Sequence, residues 1–173
     1  MLAELLFKAG LLPGVCNVIT GTGAAAGAPL VAHAGVDHIT FTGSVATGQA
    51  VMRSAAEHVT RLVLELGGKS PVVVPADCDI AAAVDQAFGA IFENAGQICS
   101  AGSRLVIERR IYAEFVERLA AKAGALTIGH GLRDCGMGPL NSAAQQERVA
   151  GFVERARARG VAVRSGGHRC TDA

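Results

Sequence analysis

Phe92-Glu93-Asn94-Ala95-Gly96-Gln97-Ile98-Cys99-Ser100-Ala101-Gly102-Ser103-Arg104 joins two patterns of different period. Before it, Ile80 to Phe92 is an apolar run at helical spacing, opened by Asp79 as a helix cap. After it, Leu105-Val106-Ile107 is a short β-branched run that reads as a strand. The glycines and small residues between them let another molecule approach the backbone closely. Cys99 therefore falls in a helix-to-strand connection, a place where a rigid scaffold holds side chains that stay reachable. On local pattern alone a free cysteine is more simply a small buried hydrophobe. A second stretch, Leu62-Val63-Leu64-Glu65-Leu66-Gly67-Gly68-Lys69-Ser70-Pro71, sets one carboxylate in an apolar run before a Gly-Gly. Such a charge must be paired, reach water at the strand end, or suffer desolvation, which favours the neutral acid and suits a general base. Pairing with Lys69 is the plain structural alternative.

Working outward, helix-like and strand-like segments alternate. A helix spans about Leu2 to Ala9, and a strand is expected at Val15 to Ile19. A glycine turn, Gly21-Thr22-Gly23-Ala24-Ala25-Ala26-Gly27, then opens an alanine-rich helix to about Ala34. A strand at His38 to Phe41 runs into Thr42-Gly43-Ser44, which caps a helix to about His58. The strand Leu62 to Leu66 carries Glu65, and a further strand begins at Pro71, where a missing N–H does least harm. Beyond the connection, a helix over Tyr112 to Ala123, another over Ser142 to Arg157 and a strand at Val161 to Val163 complete the alternation. This rhythm implies an α/β fold built on a parallel, doubly wound, Rossmann-like sheet.

Composition narrows the function classes. The chain has 173 residues, 50% hydrophobic and 18% charged, so it is too apolar to be disordered and carries fewer charges than the roughly 25% usual in soluble domains. A formal net charge of +1 gives no electrostatic case for nucleic acid. No stretch has the length of a membrane span, and the N-terminal ten residues lack a signal-peptide core. The five cysteines, at 16, 78, 99, 135 and 170, show no CxxC spacing and cannot all pair. That pattern points to reduced thiols, a cytoplasmic setting and no metal site. The glycine turn reads G-x-G-x-x-x-G rather than the dinucleotide fingerprint G-x-G-x-x-G, so alone it signals no more than a tight turn.

Three strings taken together resemble the aldehyde dehydrogenase superfamily: Phe41-Thr42-Gly43-Ser44, LELGGKSP around Glu65 and GQICSAGSR around Cys99. They stand in the family's order, with 21 residues from Ser44 to Glu65 and 34 from Glu65 to Cys99. The resemblance runs from about Leu2 to Gly167. It implies that residues 1–66 are the C-terminal part of an NAD(P)-binding domain and 67–173 the N-terminal part of a catalytic domain. It makes Cys99 the nucleophile and Glu65 the general base. It assigns Gly43 and Ser44 to the cofactor pyrophosphate, with Gly21 and Gly27 in a variant glycine turn. Phe41, Thr42 and Leu66 are placed near the cofactor and Thr47 near its adenine, with NAD against NADP left open.

The implied chemistry is oxidation of an aldehyde to a carboxylic acid through a thiohemiacetal and a thioester on Cys99. The oxyanion is held by the Cys99 N–H and by an asparagine that relatives supply upstream, and Glu65 activates the hydrolytic water. Relatives that pass the acyl group to coenzyme A or phosphate lack a glutamate at this position, which favours hydrolysis. The asparagine segment, the ribose-binding lysine and glutamate, and the C-terminal strands that help relatives form homo-oligomers all fall outside the sequence. The resemblance thus describes a truncated central piece, and an inactive interaction remnant is the rival reading. A thiol esterase independent of nicotinamide ranks third. The small-molecule aldehyde is not readable from the residues present.

Overall fold

A computed structural model describes residues 1–133 and 135–170. The chain divides into two compact units, Met1–Leu66 and Gly67–Ala173.

In the first unit, α1 (Leu2–Lys8) precedes a wide helical turn at Gly23–Gly27 that continues into α2 (Ala28–Val31). Strand β1 (His38–Gly43), helix α3 (Val45–Ala56) and strand β2 (Arg61–Leu66) follow. The strands pair in parallel with the helix as crossover, and the register sets Thr42 opposite Glu65 and Gly43 opposite Leu66. Helix α3 starts where it does because Ser44 is extended and its hydroxyl accepts the Thr47 N–H at 3.1 Å. Its apolar stripe buries Val51 and Ala55 against Ile39, with Val31, Val36, Phe41, Leu62 and Leu64 packed around them. At its far end Val59, 89% exposed, holds φ at +54°, a conformation that disfavours β-branched side chains.

In the second unit, β3 (Pro71–Val74), α4 (Ile80–Phe92) and β4 (Arg104–Ile107) repeat the strand–helix–strand arrangement with parallel pairing. Asp79 caps α4 by accepting the Ala81 and Ala82 N–H groups at 2.9 and 3.2 Å. Helix α5 (Tyr112–Gly124) closes the core with Phe115, whose side chain is fully buried among Val74, Val84 and Ala87. Lys122 on α5 pairs with Asp85 and lies over the Phe88 ring, 5.0 Å from its centre, tying α5 to α4. Helix α6 (Ala143–Ala158) is capped by Ser142 and buries no residue among those described.

The α/β class and parallel pairing agree with the sequence, and each sheet has two strands. Two expected strands do not form. Val15 to Ile19 and Val161 to Val163 carry β-favouring residues, yet neither pairs with another strand among the described residues, and Val15, Val18 and Ile19 remain exposed. Residue type makes a segment fit a sheet, and only a partner makes it a strand. The alanine-rich helix also ends at Val31, short of Ala34.

Candidate active site

Cys99 occupies the tip of a tight turn. The Ala101 N–H donates to the Ile98 carbonyl at 3.1 Å, which leaves Cys99 and Ser100 as the two central, exposed residues. The small-hydrophobe reading of this cysteine therefore fails: the thiol is exposed. Among the described residues the Cys99 N–H meets no protein acceptor, so it remains free for an oxygen outside the chain. The turn is anchored downstream at Gly102, which is buried and donates its N–H to the Ala90 carbonyl at 2.8 Å.

Upstream, α4 ends in a run that sequence reading missed. Asn94, Ala95 and Gly96 all lie in the left-handed region, with φ of +49°, +57° and +72°. Asparagine and glycine tolerate that region, whereas alanine does so at a cost of about 1–2 kcal/mol. Hydrogen bonds hold the run: the Asn94 carbonyl accepts both the backbone N–H and the side-chain amide of Gln97, at 3.1 and 3.0 Å, while Asn94 Nδ2 donates to the Gln97 carbonyl at 3.2 Å. The Asn-Ala-Gly string was the signal available, since asparagine and glycine are turn formers.

Glu65 belongs to the first unit, on β2. The strand alternates so that Leu62, Leu64 and Leu66 turn toward α3 while Arg61, Val63 and Glu65 turn away, and Glu65 is exposed. Of the alternatives open for Glu65, pairing, desolvation or reaching water at the strand end, the structure selects the last. No ion pair with Lys69 forms among the described residues.

The parallel register gathers Phe41, Thr42, Gly43, Ser44, Glu65 and Leu66 at the carboxyl ends of β1 and β2. The Phe41 ring folds back over Gly43, where a Cβ would meet Cζ at 2.5 Å, so the ring lies there because position 43 has no side chain. Leu66 packs on Gly48 of α3 in the same way, with 2.7 Å left for a Cβ. Ser44 Oγ lies 2.9 Å from Thr47 Oγ1 and caps the helix, while the N–H groups of Val45 and Ala46 have no protein acceptor among the described residues. Free N–H groups at the positive end of a three-turn helix suit an anion such as phosphate. Gly21 stands apart from that cluster. It lines an open, largely apolar concavity of about 470 Å³ with Ile19, Ala25, Pro29, Leu30 and His33, and a Cβ on it would meet Ala26 Cβ at 2.9 Å. Thr22, which caps the turn through the Ala25 N–H at 3.2 Å, was not singled out from the sequence, although a threonine before a helical run is the usual signal. Gly27 has open space around it.

In the second unit, a shallow concavity of about 500 Å³ lies between the end of α4 and the 131–138 segment. Phe88, Phe92, Glu93, Arg133 and Cys135 are among its lining residues, and Cys99 is not. No cluster of metal-ligating side chains occurs among the described residues.

One unit thus presents an exposed thiol whose N–H has no acceptor among the described residues, and the other a helix start whose first N–H groups likewise have none. The model of the aldehyde dehydrogenase family matches residues 1–173, and the chain belongs to that family. It is 44% identical over 169 residues to a chloroplastic aminoaldehyde dehydrogenase of Arabidopsis thaliana, covering 97% of this chain and 34% of that protein. A chloroplastic betaine aldehyde dehydrogenase of Amaranthus hypochondriacus is 45% identical over 170 residues, again with 97% and 34% coverage. An aldehyde dehydrogenase of Bacillus cereus, solved as its NAD+ complex, superimposes with a TM-score of 0.95 at 42% identity, over 98% of this chain and 35% of that one. The chain spans about a third of the length of the relatives it matches.

Proposed function

We propose that this chain supplies the nucleophile, the base and part of the dinucleotide site for oxidation of an aldehyde to a carboxylic acid. The observation that carries the proposal is the exposed Cys99 at a turn tip with its own N–H unpaired among the described residues, in a chain of this family. Cys99 Sγ forms a bond to the aldehyde carbon, and the carbonyl oxygen, now an oxyanion, accepts the Cys99 N–H. NAD(P)+, when bound, would supply the hydride acceptor needed to take this adduct to a thioester on Cys99. Glu65, open to water, takes a proton from a water whose oxygen attacks the thioester carbon; the C–S bond breaks, the acid leaves and the thiolate returns.

The free N–H groups of Val45 and Ala46, with Gly43 and Ser44, are assigned to a pyrophosphate, and the Gly21 concavity to a flat, weakly polar group. Thr42, Phe41, Thr47 and Leu66 border the same strand ends and helix start. NAD+ is the first cofactor to test, given the bound state of the Bacillus cereus neighbour. The relatives' names direct the substrate search to amino- and betaine aldehydes. Free cysteines throughout the chain support a reducing compartment such as the cytoplasm.

The test is aldehyde-dependent formation of NAD(P)H by the purified chain, compared with Cys99→Ala and Glu65→Gln. Turnover abolished by Cys99→Ala, with a thioester accumulating at Cys99 in Glu65→Gln, is expected. Turnover that survives Cys99→Ala sinks the assignment. The rival reading, an interaction remnant without catalysis, draws support from exposed apolar residues such as Val73 at 70% and predicts no turnover in any variant.

A further inference from the structure

The side chain of Gln97 does more than close the left-handed run. Its Nε2 donates to the Asn94 carbonyl at 3.0 Å, and its Oε1 accepts the Asn141 N–H at 2.9 Å across 44 residues of sequence. Asn141 immediately precedes Ser142, the cap of α6. One partly buried amide therefore spans the end of α4 and the start of α6, and the Cys99 turn begins at the next residue, Ile98. The downstream anchor at Gly102 is backbone-made, whereas the upstream anchor adds this side-chain bridge to the local bonds between Asn94 and Gln97.

We infer that Gln97 is a positioning residue for Cys99: by bridging the Asn94 carbonyl and the Asn141 N–H, it fixes the direction of the Cys99 thiol and N–H together. The inference rests on Cys99 being the nucleophile. Both amide ends are used, so the side chain can neither rotate by half a turn nor be shortened without losing a bond. Loss of the bridge leaves Ala95 in an unfavoured conformation with fewer bonds to hold it, and the turn gains alternative orientations. An exposed thiol remains exposed in all of them. What suffers is any reaction that needs Sγ and the N–H aimed at the same carbonyl.

Two reagents separate these demands in the full chain. With p-nitrophenyl acetate, the Cys99 thiolate bonds to the carbonyl carbon, the oxyanion needs the N–H, and the acyl C–O bond breaks to release p-nitrophenolate. With iodoacetamide, the thiolate displaces iodide at a saturated carbon and needs no N–H. Both rates are read at each cysteine by mass spectrometry, in wild type, Gln97→Met and Gln97→Glu. Gln97→Met keeps the length and loses both bonds, and it should slow Cys99 acylation about tenfold or more while alkylation changes by less than about twofold. Gln97→Glu keeps an oxygen for the Asn141 N–H and should recover part of the acylation rate. Labelling at the partly buried Cys78 reports folding and should stay constant. Acylation unchanged in Gln97→Met overturns the inference. So does a parallel fall in both Cys99 reactions with faster Cys78 labelling, which would mark a merely structural role. Wild-type Cys99 acylated no faster than the exposed Cys16 would sink the nucleophile assignment itself, and the positioning role with it.

Discussion

Replacing Gly102 by alanine tests whether the Cys99 turn is held as tightly at its downstream end as the packing indicates. A Cβ at this position would stand 2.7 Å from Val72 Cγ2 and 3.0 Å from Ala90 Cβ. Val72 can relieve part of the clash by changing rotamer, but Ala90 Cβ has no rotamer and is fixed to α4. Relief must therefore come from moving the 102 backbone away, which lengthens the 2.8 Å bond to the Ala90 carbonyl, or from shifting the last turns of α4. Adding one methyl to a well-packed interior costs about 1–3 kcal/mol. With a denaturant slope of about 2 kcal/mol/M, a loss near ~2 kcal/mol lowers the urea midpoint by about 1 M. Urea titration followed by circular dichroism measures it, and site-resolved acylation at Cys99 reports whether the turn moved. A midpoint within about 0.1 M of wild type, well inside the error of such fits, would refute the packing argument.

Gly89 sits inside α4, and a methyl added there would have nothing within 4 Å of it, so Gly89→Ala should stabilise the same unit by about 0.5–1 kcal/mol through helix propensity, read as a higher urea midpoint. Val59→Asn should raise the melting temperature, because Asn tolerates the φ of +54° that costs valine about 1–2 kcal/mol and the 89%-exposed side chain buries little. Glu108 is held below its ordinary carboxyl pKa by the hydrogen bond from Arg110 and by that from the Ala76 N–H. A depressed folded-state pKa stabilises above the unfolded value and is lost as pH falls through the folded one. The stability gap between wild type and Glu108→Gln should accordingly be constant above about pH 5.5 and shrink in more acid solution, measured by thermal melts against pH.

The elements most legible in the sequence are those set by local chemistry. Ser44, Asp79 and Ser142 each mark a helix start because a side-chain oxygen satisfies an N–H two or three residues on, a purely local event. The strands at Val15 to Ile19 and Val161 to Val163 were illegible for the converse reason, since pairing depends on a partner elsewhere in space. Glu65 shows what strand period adds to composition. The run Leu62 to Leu66 sets one carboxylate among apolar residues and leaves its environment open, and the period of a strand puts Glu65 on the face away from the leucines that pack on α3. The Gln97 bridge lay beyond reach altogether, because its distant partner is a backbone N–H, which every residue but proline carries.

The two units place their candidate residues at opposite ends of their strands, and this decides how far topology can support function. In the first, Thr42, Gly43, Ser44, Glu65 and Leu66 cluster at the carboxyl ends of parallel β1 and β2, where open α/β sheets bind ligands. The general rule and the free N–H groups of α3 therefore favour the same place. In the second, Cys99 precedes β4 and so belongs to the amino end of that strand, where the rule predicts no site. The sheet meets this connection where Val72 of β3 packs at Gly102, and no strand carries Cys99 itself. Its direction has to come from the connection itself: the left-handed Asn94–Gly96 run, the Gln97 amide on one side and the buried Gly102 on the other. Substitutions in this connection should consequently change the chemistry at Cys99 more than equal perturbations within β4.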